Sequence, residues 1–194
     1  MEDRVTLLLK DYRDLDGVYD KIVSIEMIEA VGCKFYDTFF QRCASLLKPA
    51  GVMALQAITT TDQSYRASIR DIDFIKRHIF PGGQLPSITA ICQSLTAATD
   101  LRLYNLEDIT EHYVTTLSHW RENFFAGLDR VRAMNYSERF IRMWDFYLSL
   151  CVGSFAERHI GDVQILLVKP GFRPGTVRPY SAYCAEEGWL QAEN

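Results

Sequence analysis

Tyr19–Ile25 and Val52–Ile58 are two nearly continuous apolar runs separated by a single stretch of helical period, and that arrangement leaves few folds open. Between them, Phe35, Phe39, Phe40, Cys43, Leu46 and Leu47 recur at the spacing of one helix face over about Lys34 to Leu47. Lys48-Pro49-Ala50-Gly51 then ends the helix with a proline that cannot continue it and a glycine that turns the chain. Strand, helix and strand joined by short turns form a crossover unit. Such a unit predicts parallel strands in an α/β sheet, covered on both faces.

The flanks extend this pattern. Val5–Leu9 reads as a preceding strand, followed by the polar turn Lys10–Asp14. Ser64 to Phe80 reads as helix up to the break at Pro81-Gly82-Gly83. Ser87 is a candidate cap for a helix to Ala98, and Leu101–Leu106 alternates like a strand. Helical stretches follow over about Tyr113 to Met134 and Ser137 to His159, with a last strand at Val163–Val168. The expected organisation is one α/β domain over residues 1–170, with a mostly helical insertion over about 64–159 and an irregular tail over 171–194.

Composition excludes several classes of function. The net charge of -4 gives no electrostatic footprint for nucleic acid, and none for anionic membranes by charge alone. Five scattered cysteines without a CxxC pair predict reduced cytoplasmic thiols rather than a disulfide framework or a zinc site. His112 and His119 stand seven apart on a predicted helix, too far for one metal ion, so no metal is expected. The polar start at Met1-Glu2-Asp3-Arg4 does not read as a signal peptide, and no run approaches the length of a membrane helix.

A doubly wound sheet ordinarily opens with a strand, a glycine-rich turn and a helix whose N-terminus receives a phosphate or cofactor. No GxGxxG run occurs among the 11 glycines, which are single except at Gly82-Gly83. Residues alone therefore point to half of an α/β domain that carries a helical insertion.

Six strings give that half a resemblance: Asp11–Leu15, Tyr19–Gly32, Leu47–Gly51, Ile79–Ser87, His112–Leu117 and Asn135–Phe140. In order and spacing they resemble the C-terminal part of the cyclopropane-fatty-acyl-phospholipid synthases and their mycolic-acid-modifying relatives, from about Val5 to Pro170. The resemblance implies a class I S-adenosylmethionine-dependent methyltransferase of Rossmann-like fold lacking its N-terminal strands. It implies methyl transfer from S-adenosylmethionine to the cis double bond of a phospholipid acyl chain, giving a cyclopropane or methyl-branched product. A bound bicarbonate would take the proton. It further implies a cytoplasmic protein in peripheral contact with the inner membrane face, and a missing N-terminal half as partner.

On the same resemblance Glu29 is the acidic residue of the bicarbonate site, Tyr113 contacts the anion, and the Ile58 backbone N–H reaches it. Gln56 stands where better-known members carry histidine, so it can orient but not titrate, and Ala30 likewise replaces a common histidine. Asp11 and Tyr12 fall at the adenine contact, with Ser24 and Ile25 at the strand end lining the cofactor. Read without the family, Glu29 is a helix cap or an exposed acid, Tyr113 a half-buried helix tyrosine, and Asp11–Asp14 a solvated turn. A small-molecule N-methyltransferase, which shares the Ile-Phe-Pro-Gly-Gly string, remains an alternative, as does a non-catalytic remnant or split-enzyme interaction module.

Overall fold

The computed structural model describes residues 4–174. Four strands, β1 (Tyr19–Ile25), β2 (Leu47–Thr60), β3 (Arg102–Asp108) and β4 (Ile160–Val168), form one sheet in the order β1-β2-β4-β3. β1 and β2 are parallel, as the crossover predicts, while β4 runs antiparallel to both of its neighbours.

The crossover helix α2 (Tyr36–Ser45) buries Tyr36, Phe39, Phe40, Cys43 and Ala44, a stripe at helical spacing. It follows the short helix α1 (Ile28–Val31) and a single 3-10 turn at Cys33–Phe35. The stripe lies on the sheet face formed by Met53, Leu55 and Ala57 of β2 and Val163, Ile165 and Leu167 of β4. Helix α5 (Ile88–Ala98), capped by the Ser87 side chain, completes that layer through Ile91 and Leu95. The predicted helix over 64–80 is two pieces, α3 (Asp62–Ser68) and α4 (Phe74–His78). Asp73 caps the second, accepting from the Lys76 backbone N–H, and a side chain that competes for backbone donors in this way starts a new helix.

The insertion after β3 folds into α6 (Thr110–Ala126), α7 (Leu128–Ala133) and α8 (Glu138–Ala156). α6 and α8 form an antiparallel pair: Tyr113 meets Phe155 near one end, and Arg121 binds Asp145 further along. A hairpin of helices returns the chain to the sheet edge it left, so β4 must enter there and run backwards. This explains why the sheet is mixed.

Two expectations are corrected. Val5–Leu9 forms no strand, and its Leu7 and Leu9 side chains are fully exposed. An isolated apolar run has no ladder to join, and among the described residues the outer edge of β1 pairs with nothing. Nor is β1 covered on both faces. Ile22 and Ser24 turn to the core, whereas Val23 and Ile25, 65% and 62% exposed, lie on the open side of the sheet. Of the residues expected to form a loose tail, Gly171 donates to the Pro49 carbonyl and Phe172 packs edge-on against Tyr104. The remainder of that expected tail, 175–194, lies outside the described residues.

Candidate active site

The site forms where β1 and β2 end, beneath the start of α6. Ligands of open α/β sheets gather at such C-terminal strand ends. β1 stops at Ile25, and the next residue, Glu26, has a positive φ of 52°. A non-glycine residue in that region carries steric strain that surrounding contacts must hold. Here its backbone N–H donates to the Gln56 carbonyl at 3.0 Å, and its carboxylate accepts from Gln56 Nε2 at 3.0 Å.

Gln56 is therefore committed on every side. Its second amide N–H donates to Asp162 Oδ2 at 3.1 Å, and its Oε1 accepts from Gln164 Nε2 at 2.9 Å. β-sheet register brings these together: Gln56 stands opposite Gln164, and Ile58 opposite Asp162. Asp162 is fully buried, with Oδ1 lacking any partner. Burial first, then the negative charge of Glu26, raises its carboxyl above the usual carboxylate range.

Glu29 opens α1 and reaches across to β2, where Oε1 accepts the Ile58 N–H at 2.6 Å. Its Oε2 is buried without a partner, and burial raises the carboxyl to about 7 against the opposing pull of backbone N–H groups. The Ile79–Ser87 string fixes Glu29 from behind. Gln84 N–H donates to the Glu29 carbonyl at 2.8 Å, after a turn that places Gly82 at φ +84°. Tyr113, in the first turn of α6, stacks obliquely on Phe155 at 5.0 Å with its hydroxyl toward the Glu26 carboxylate. Burial, followed by that carboxylate, raises the phenol well above its usual value, so it keeps its proton.

Glu29, Gln56, Ile58 and Tyr113 thus converge. Glu26 and Asp162 join them, and sequence reasoning missed both. Among the described residues no lysine, arginine or histidine hydrogen-bonds or ion-pairs with Glu26, Glu29 or Asp162. No group of three or more histidine, cysteine, aspartate or glutamate side chains among them is placed to hold a metal ion.

A second feature lies beside this cluster. Asp11, Tyr12, Arg13, Met27, Ala30, Val31 and Phe35 line a cleft of about 320 Å³. Tyr12 packs edge-on against Phe39, which anchors the turn to α2. The Asp11 carboxylate is forked onto Arg13, which holds it down at about 2. Ser24 is buried with its Oγ unpartnered, whereas Ile25 lies exposed on the open sheet face. A slot with two aromatic and several apolar walls and an ionised acid among its lining residues suits a purine nucleoside.

A family model described as mycolic acid cyclopropane synthetase matches residues 1–165. The chain belongs to this family. It is 38% identical over 168 residues to a tuberculostearic acid methyltransferase of Mycobacterium tuberculosis, covering 87% of this chain and 39% of that protein. It is 41% identical over 162 residues to the cyclopropane-fatty-acyl-phospholipid synthase of Escherichia coli, covering 84% of this chain and 41% of that one. The chain thus spans about two fifths of the length of these curated relatives. Among solved structures, a mycolic acid cyclopropane synthase complexed with SAH and CTAB superposes with a TM-score of 0.76 at 30% identity, over 84% of this chain and 59% of that chain. A coclaurine N-methyltransferase shares the fold at a TM-score of 0.67 and 19% identity, over 86% of this chain and 55% of that chain, a likeness of architecture alone. The fold is accordingly the Rossmann-like class I methyltransferase fold expected from the sequence, represented by its β1-to-β4 half.

The donors that the resemblance assigned to a bicarbonate ion are all engaged by carboxylates. Ile58 N–H serves Glu29, both Gln56 N–H groups serve Glu26 and Asp162, and the Tyr113 hydroxyl faces Glu26. An anion entering here would displace one of these contacts or accept from the Glu29 carboxyl, whose burial-raised pKa and unpartnered Oε2 let it hold a proton.

Proposed function

We propose that this chain is the catalytic-site half of an S-adenosylmethionine-dependent methyltransferase that modifies the cis double bond of a phospholipid acyl chain, giving a cyclopropane or methyl-branched product. The observation that carries this reading is the cluster of Glu26, Glu29 and Asp162 at the strand ends, with no basic side chain among the described residues bound to it. Uncompensated carboxylates suit chemistry in which positive charge arrives on the cofactor and then develops on a substrate carbon. S-adenosylmethionine, when bound, supplies an electrophilic methyl group. Tyr12, Met27, Val31 and Phe35 would hold its purine, with Asp11 and Ser24 offering polar contacts.

The chain's own part is to orient and to screen. Ile58 packs into the apolar cluster of Leu117, Leu148 and Phe155, which closes the site from the α6–α8 side and keeps water from a reactive carbon. Tyr113 bridges this apolar wall and the acids, presenting its ring to developing positive charge. No helix among the described residues is long and apolar enough to cross a membrane. In this reading the lipid is reached from the cytoplasmic side by peripheral contact, with a glycine-rich N-terminal half completing the cofactor pocket.

The test is expression of this chain joined to an N-terminal half that supplies the glycine-rich loop, in bacteria whose own acyl chains carry neither rings nor branches. Mass spectrometry of the fatty acids should show unsaturated chains that have gained one CH2 unit. An unchanged profile, from cells that contain the folded protein and its cofactor, would leave only the non-catalytic module.

A further inference from the structure

Resting on that reading of the site, we propose that the α3–α4 segment and the adjoining face of α8 form the surface by which this chain docks on a bilayer of anionic phospholipid. Exposed apolar side chains mark the surface. Ile72, in the loop between α3 and α4, is 74% exposed, and Ile69 at the end of α3, Phe80 after α4 and Phe146 of α8 are exposed as well. They belong to one region, because Phe74 of α4 packs edge-on against Phe146 at 4.7 Å and Phe80 meets Tyr147 at 6.3 Å. Lys76 Nζ donates to the Ser68 and Asp71 carbonyls, so the loop is fixed against α4 with its isoleucines in solvent. Apolar side chains held out of a core in this way mark a surface that meets another apolar phase.

Charge says which phase. The chain carries a net charge of -4, yet this region is rich in unpaired arginine. Arg66, Arg70 and Arg77 are exposed along the α3–α4 segment, and among the described residues none forms an ion pair. Arg139 and Arg142 of α8 are likewise exposed and unpaired, and steps of three and four residues put them on one helix face with Phe146. The acids between Arg66 and Phe80 are Asp71 and Asp73, while on α8 Glu138 is tied to Arg132 and Asp145 to Arg121. Arginine interleaved with isoleucine and phenylalanine supplies both attractions that hold a protein on an anionic bilayer, headgroup pairing and shallow apolar insertion. A purely ionic partner would leave the isoleucines and phenylalanines in water. The surface also leads inward: Phe80 meets Tyr147, and the Tyr147 hydroxyl lies in the field of the Glu26 carboxylate. A bilayer seated here borders the acid cluster across one layer of aromatic side chains.

The experiment is co-sedimentation of the 194-residue chain with vesicles of mixed phosphatidylglycerol and phosphatidylcholine, against vesicles of phosphatidylcholine alone. The wild type should bind the anionic vesicles about tenfold more tightly or better, and raised salt should release it. Arg70→Gln, Arg77→Gln and Arg142→Gln combined should weaken that binding about 100-fold, at roughly fivefold per charge. Lysine at the same three positions should keep most of it. Ile72→Ser should weaken it about fivefold or more. Lys21→Gln, Lys34→Gln and Arg102→Gln combined remove the same charge from exposed positions outside the surface, and should cost less than about threefold. Every variant should keep the wild-type unfolding midpoint. A wild type indifferent to anionic lipid, or a control triple that loses as much as the arginine triple, overturns the proposal. Retention on polyglutamate as strong as on vesicles, with Ile72→Ser silent, also overturns it and makes this face a site for an acidic protein. Vesicle binding needs no methyl transfer, so the two readings fail separately. Binding through these residues without any lipid product refutes the proposed function and supports the surface. Product formed while the arginine triple binds vesicles as the wild type does refutes the surface and leaves the function standing.

Discussion

Glu29→Gln isolates the energetic cost of placing an acid in this site. The folded carboxyl has a pKa of about 7 against an ordinary 4.5, chiefly through burial. Because the folded state binds this proton more tightly than the unfolded chain, folding takes up a proton between these values. Stability therefore falls as pH rises from about 4.5 to about 7. Each pKa unit corresponds to about 1.4 kcal/mol, which sets an upper limit of about 3 kcal/mol. The residue is only part-buried, and solvent screening reduces the expected effect to about 1–2 kcal/mol. The amide keeps an oxygen to accept the Ile58 N–H, and it replaces an Oε2 that has no partner. Glu29→Gln should thus be more stable than the wild type by about 1–2 kcal/mol at pH 8, about 2–7 °C in Tm, with a much smaller difference at pH 5. Urea unfolding of both proteins at the two pH values gives the answer. A variant no more stable at pH 8, or one with the same gain at both pH values, would refute the burial argument.

Gln56→Leu removes both amide donors from Glu26 and Asp162, leaving two acids without that partner, and should destabilise the fold by about 1–3 kcal/mol at neutral pH in urea titrations. The loss should shrink as the pH falls, because the raised Asp162 carboxyl is then protonated. Phe39→Ala removes a ring that is 1% exposed and touches both Tyr12 and Phe40, so about 3–5 kcal/mol is expected by the same assay. The purine-side cleft should also loosen, seen as increased fluorescence quenching of its tyrosine.

The crossover and its helix were legible because local period and burial agree: every residue in the predicted stripe from Phe39 to Cys43 points inward. Val5–Leu9 misled because strand propensity is only a preference for a paired, half-buried surface, and no pair is offered there. The sense of β4 was invisible, since it follows from how α6 and α8 pack rather than from anything within Ile160–Val168. At the site, Glu29, Gln56, Ile58 and Tyr113 were found through motif strings, and the structure draws them together. Glu26 lay inside one of those strings but read as an ordinary acid after a strand. A positive φ has no signature in a glutamate. Asp162 offered one usable signal, the lone acid of a mostly apolar final strand.

The helical hairpin leaves and re-enters the sheet at neighbouring residues. Ile109 N–H donates to the Asp162 carbonyl, and Asp162 N–H donates to Thr110 Oγ1, so its entry and exit are stitched side by side. A module pinned in this way can lengthen, shorten or repack its far end at little cost to the sheet, since closing a longer loop costs only slightly more entropy. The acids and the strand ends that hold them lie on the fixed side of the stitch. Substrate preference is therefore free to diverge among descendants of this fold through the outer turns of α6 and α8, while the proton-handling chemistry stays where β1 and β2 put it.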